Sequence, residues 1–90
     1  MASFSIIWTP RAKKQLKSLP QSVLRPLLTA VNALAENPYP QGCRKLVGYE
    51  NSYRIRHGDY RTVYRIENQQ LIVVVVRVGH RKEVYRGELG

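Results

Sequence analysis

The chain is 90 residues long, enough for one hydrophobic core and no second one. Fifteen Lys+Arg against six Asp+Glu give a net charge of +9, which favours a polyanionic partner: nucleic acid, an anionic membrane surface or an acidic protein. The single cysteine, Cys43, excludes an intramolecular disulfide framework, and one Cys with two His is too few for a closed zinc site.

Phe4–Trp8 is rich in β-formers with partial alternation and reads as a first strand. Thr9-Pro10 then supplies a capping hydroxyl and a proline at the first helical position. Ala12, Leu16 and Leu19 fall at helical spacing, with Arg11, Lys13, Lys14 and Lys17 on the other faces, and Pro20 ends this helix. Ser22 is placed to cap a second helix, in which Val23, Leu24, Leu27, Leu28, Val31, Leu34 and Ala35 form a wide apolar stripe. Pro26 inside that stripe weakens or bends its first turn. Pro38, Pro40 and Gly42 then break the chain.

The second half changes character. Arg44–Val47 reads as a short strand. Tyr53–His57 alternates, with Tyr53, Ile55 and His57 on one face and Arg54 and Arg56 on the other. Gly58-Asp59 makes a turn into Tyr60–Ile66, which carries Arg61 and Arg65 at alternate positions. Asn68-Gln69-Gln70 turns the chain into Leu71–Val78, a run expected to be a strand buried on both faces in the middle of a sheet, with Gly79 breaking it. A charged tail follows. The order predicts an α+β domain over residues 1–90: an N-terminal strand, a helical hairpin, then a three- to four-stranded, mainly antiparallel sheet and a short charged C-terminal tail. The hairpin covers one sheet face and leaves the other open. The longest apolar run, Leu71–Val76, is far short of the about 20 residues of a membrane helix. With no signal-peptide pattern at the N-terminus, a cytoplasmic setting without a membrane partner is expected.

The informative residues lie on the open face. Arg54 and Arg56 share it, and the register of the next strand, which the sequence leaves open, decides whether Arg61 joins them. Arg77 and Arg81 come from the end of the apolar strand. Like charges across neighbouring strands destabilise a sheet, so an external anion is expected to compensate. From position 54 onward there are seven Arg and one Lys. Arg offers phosphate a fixed bidentate fork where Lys is a point charge, so a phosphodiester backbone fits best. Residues 1–45 carry seven basic and one acidic residue, and residues 46–90 carry eight and five, so the less charged half is the more specific one.

The segments Thr9-Pro10-Arg11-Ala12-Lys13-Lys14-Gln15-Leu16, Lys45-Leu46, Tyr53-Arg54-Ile55-Arg56, Tyr60-Arg61-Thr62-Val63-Tyr64-Arg65 and Val78-Gly79-His80-Arg81-Lys82-Glu83-Val84-Tyr85, in that order and spacing, resemble the RelE family of bacterial toxins within the RelE/ParE superfamily. The resemblance covers nearly the whole chain. It implies a ribosome-dependent endoribonuclease that cleaves mRNA in the ribosomal A site, by attack of the nucleotide's own 2′-hydroxyl without metal or other cofactor. By position, Arg61 would hold the scissile phosphate, Arg81 would stand near the leaving 5′-oxygen, and Tyr85 would stack on a base. Arg54 and Arg56 match two basic strand positions, and Arg65, Arg77 and Lys82 extend the RNA-binding surface. The implied partners are an acidic cognate antitoxin, the ribosome with its rRNA and mRNA, and operator DNA only through the antitoxin complex.

One position departs from the family's pattern. Where a lysine is common as a possible general base, this chain has Arg56, and a guanidinium stays protonated with a pKa above about 12. Either the enzyme works by phosphate clamping and in-line positioning, or His80 takes the proton-transfer role. His57, on the face of Ile55, reads as structural; Tyr53, Tyr60 and Tyr64 read as sheet packing and Trp8 as core. Two alternatives stay open. One is a ParE-like DNA gyrase inhibitor, which would not need Arg61, Arg81 and Tyr85. The other is a non-enzymatic nucleic-acid-binding domain, for which the charge alone would serve.

Overall fold

The computed structural model describes residues 3–80. In chain order it has strand β1 (Ser5–Trp8), helices α1 (Pro10–Lys17) and α2 (Gln21–Ala33), and strands β2 (Arg44–Lys45), β3 (Ser52–His57), β4 (Tyr60–Glu67) and β5 (Ile72–His80). The strands form one sheet in the order β1-β5-β4-β3-β2. The helical hairpin carries the chain from β1 at one edge of the sheet to β2 at the other. β2 to β5 then pair antiparallel in sequence back across the sheet, and β5 ends beside β1 and parallel to it. This is the expected α+β arrangement, with four strands after the hairpin and a mixed sheet.

α1 starts where its sequence says. The Thr9 side chain accepts from the Ala12 backbone N–H at 3.1 Å, and Pro10 follows at the first helical position. α2 differs. Its N-cap is Pro20, with no side-chain cap, and Ser22 lies inside the helix. Pro26, the sixth residue of α2, has no N–H to give the Ser22 carbonyl, so one internal bond of the helix is absent.

Both helices pack on one face of the sheet. One part of the core joins Ala12, Leu27 and Val31 to Val75 and Val78; the other joins Leu34 to Ile55, Tyr64, Ile66 and Val73. α1 also seals the edge of β5 beyond the end of β1, where the Gln15 side-chain carbonyl accepts from the Val78 N–H at 2.9 Å.

Three expectations for the strands are corrected. The strand after the breaker segment is Arg44–Lys45 only, since the chain turns through Leu46–Asn51 before β3 begins. β5 is interior but not central; it lies between β1 and β4, with Val73 and Val75 buried and Ile72, Val74 and Val76 half-buried. Gly79 does not break it, because Gly79 pairs with Arg61 and the strand runs on to His80.

Candidate active site

Register brings the arginines together. Arg56 lies directly opposite Arg61, and Arg44 directly opposite Arg54. Alternation puts all four on the face away from the helices, with Ile55, Thr62 and Tyr64 turned toward them. Two like-charge pairs thus stand side by side at positions where Cβ atoms are roughly 5 Å apart, an arrangement unfavourable for folding.

Arg77 reaches this face through a bulge. Val63 pairs with Arg77 and Tyr64 with Val75, so Val76 is an extra residue in β5. Strict alternation from Val75 would have sent Arg77 beneath the helices; the bulge sends Val78 there and Arg77 outward. Arg44, Arg54, Val63 and Arg77 then form one row across four strands, and Arg56, Arg61 and Gly79 form the next. Gly79 leaves no side chain beside Arg61, as expected where a ligand approaches the backbone closely.

Arg61 and Arg77 are 5% and 7% exposed, so they are not part of a solvated basic coat. Arg61 donates to the carbonyls of Gly58 and Tyr60 at 3.1 and 3.3 Å, which fixes its guanidinium at the β3–β4 turn. Arg65 shares the face but is exposed and paired with Glu67 at 2.7 Å, so part of its charge is already neutralised.

A cavity of about 790 Å³ opens at the edge of β3. Arg44, Arg54, Arg56 and Arg61 line it, together with Ile55 and His57, the 40–42 loop, and Ala30 and Ala33 of α2. β2 covers β3 only as far as Tyr53 and Arg54, so the rest of that edge is reached from both faces. This explains why His57, which alternation places on the helix side, shares a cavity with the arginines. The His57 Nε2 lies 3.0 Å from the Thr62 hydroxyl. Burial, and then the nearby Arg61 charge, hold its pKa below the ordinary histidine value.

His80 is placed elsewhere. It pairs with Tyr60 at the end of the sheet, and the two rings meet edge to face with centroids 5.5 Å apart. It therefore lies on the side of Thr62, across the sheet from Arg61 and Arg77. Of the other sequence-derived candidates, Arg81, Lys82 and Tyr85 lie outside the described residues. No group of three or more His, Cys, Asp or Glu among the described residues is placed to hold a metal ion.

Comparison with known proteins places this geometry. The family model for the ParE toxin of the type II toxin–antitoxin system parDE matches residues 6–85. The chain belongs to the RelE/ParE family of type II toxins. The toxin is 32% identical over 87 residues to Toxin RelG of Mycobacterium tuberculosis, a match covering 92% of this chain and 97% of that protein. Its fold matches the isolated RelE toxin of E. coli with a TM-score of 0.79 at 28% identity, covering 94% of each chain. It matches the toxin of the intact E. coli RelBE toxin–antitoxin complex with a TM-score of 0.78 at 26% identity, covering 87% of this chain and 96% of that one. In the described residues, no helix is long and apolar enough to cross a membrane.

Proposed function

We propose that this toxin is a ribosome-dependent endoribonuclease that cleaves mRNA in the ribosomal A site and so stops translation. The observation that carries the reading is the pair Arg56–Arg61, set directly across two strands beside Arg44–Arg54 at the rim of one cavity. Folding alone gives no reason to put four guanidiniums there, whereas a phosphodiester bound between them would balance their charge. Arg61, held by two turn carbonyls, is preorganised to meet the charge that grows on the phosphate as the 2′-oxygen attacks. Arg54 and Arg77 in the neighbouring row extend the track for the RNA backbone, with Arg65 at its margin. By resemblance to RelE, Arg81 assists the leaving 5′-oxygen, Tyr85 stacks on a base, and Lys82 adds a phosphate contact. The reaction on this reading uses no metal. The partner that silences the toxin is an acidic, RelB-type antitoxin laid along the basic face.

The test is inducible expression followed by mapping of mRNA 5′ ends. The expected result is in-frame cuts inside codons, lost by about 10²–10³-fold in Arg61→Ala while that variant still binds its antitoxin. Frame-independent cuts would make the toxin a free ribonuclease. The matched family model is described for ParE toxins, so a gyrase supercoiling assay belongs in the same experiment. Intact mRNA with blocked supercoiling would overturn the ribonuclease reading.

A further inference from the structure

Transfer of a proton from the 2′-hydroxyl needs an acceptor, and the arginines that line the cavity cannot serve, because a guanidinium stays protonated. His80 lies against Tyr60 and not among the cavity-lining residues. His57 does line the cavity, with Arg56 before it in β3 and Arg61 on the neighbouring strand. Its Nε2 is 3.0 Å from Oγ1 of Thr62, a fully buried residue whose position is fixed by the sheet. Either group can donate in this contact, depending on the tautomer; in the tautomer where Nε2–H donates to Oγ1, the free lone pair of the ring is on Nδ1.

We propose that His57 is the general base of the cleavage reaction and that Thr62 is its positioning residue, engaging Nε2–H so that Nδ1 is left to accept a proton. This rests on the ribonuclease reading above and adds the proton acceptor that Arg56 cannot be. In the step, the 2′-O–H bond breaks and its proton passes to His57 Nδ1. The 2′-oxygen forms a bond to phosphorus, the bond from phosphorus to the 5′-oxygen breaks, and the 5′-oxygen takes a proton from water. The products are a 2′,3′-cyclic phosphate and a 5′-hydroxyl, and the imidazolium returns its proton to solvent.

The surroundings suit this cycle. Among the described residues, Arg61 and Tyr60 on β4, Arg54 and Arg56 on β3, Arg44 on β2 and Asp59 in the turn are the charged and titratable groups around the ring and its cavity, with His80 of β5 beyond Tyr60. α2 presents Ala30 and Ala33 to the cavity. The excess of positive charge and the burial of the ring keep His57 neutral around pH 7 and favour release of the proton once taken.

The experiment is single-turnover cleavage of an A-site codon on programmed ribosomes, from about pH 5 to pH 8, the range in which a histidine base changes form. Wild type is expected to hold a plateau through the ordinary histidine range and to fall only at lower pH. His57→Gln should cut about 10²-fold or more slowly, in the range of a lost general base, and should lose that acidic limb. Thr62→Val should move the midpoint of the limb, which a purely structural residue would not do. His57→Ala should regain cutting on addition of free imidazole, so the assay holds even if the glutamine variant folds poorly. Wild-type rates and an unchanged pH profile in His57→Gln would overturn the general-base role while leaving the ribonuclease intact, as would lack of imidazole rescue. Wild type that cuts no mRNA would overturn the underlying reading and the base with it.

Discussion

Among the described residues, Tyr64 is the largest fully buried side chain, and its hydroxyl donates to the Pro38 carbonyl at 2.8 Å. That bond ties the breaker segment after α2 to the middle of the sheet, and with it the loop that walls the cavity. Burial, with Cys43 adding to it, pushes the phenol well above its usual value, so it remains a neutral donor at any working pH. Tyr64→Phe keeps the ring and strands the carbonyl. The expected loss is about 1–3 kcal/mol, read from urea unfolding, and a loss near zero would mean that water replaces the hydroxyl. At this scale the sequence was a partial guide. Arg54, Arg56 and Arg61 were legible as site candidates because period two is local. The arrival of His57 at the same cavity was not, since it depends on where β2 (Arg44–Lys45) stops covering β3, twelve to thirteen residues earlier in the chain.

The β3–β4 hairpin shows what an element can fix by itself. His57 pairs with Tyr60 across the two-residue turn Gly58-Asp59, and Gly58 has φ +62°, the first central position of a type II′ turn. Open space surrounds a Cβ built there, so a substitution meets only the backbone penalty. Gly58→Val should therefore lower stability by about 1–2 kcal/mol, and Gly58→Asn by clearly less, since Asn tolerates positive φ. Thermal unfolding of the two variants side by side checks this; equal losses would mean that the turn relaxes to another type. The turn was readable from its two residues, as was the Thr9-Pro10 start of α1, because each is set by neighbours in the chain. The start of α2 misled: Ser22 is a good cap by type, but the short connection after Leu19 leaves the turn to begin at Pro20. Likewise Gly79 has the look of a strand end, and pairing with β4 carries the strand through it.

For the whole molecule, the relevant quantity is the placement of the +9 charge. α1 carries Lys13, Lys14 and Lys17 on a generic basic surface, while the sheet gathers arginines into two adjoining rows. Association with an acidic antitoxin should therefore be electrostatically steered. Stopped-flow measurement should find the on-rate falling tenfold or more between low and high salt, with the off-rate changing less; a salt-independent on-rate would place the recognition in apolar contacts instead. The fold class and order of elements were legible throughout, because hydrophobic periodicity and breakers mark them. The register was not, because one residue moves it. That residue, Val76, has a consequence at the level of the gene. Loss of its codon would straighten β5 and leave Val75 facing the helices, Arg77 facing outward and Val78 inward, as now. Loss of the codon for Val78 would instead bring Gly79 into the core position, and a small hole would open under α1. The strand thus has one place where its length can drift without exchanging the inside of the toxin for its working surface.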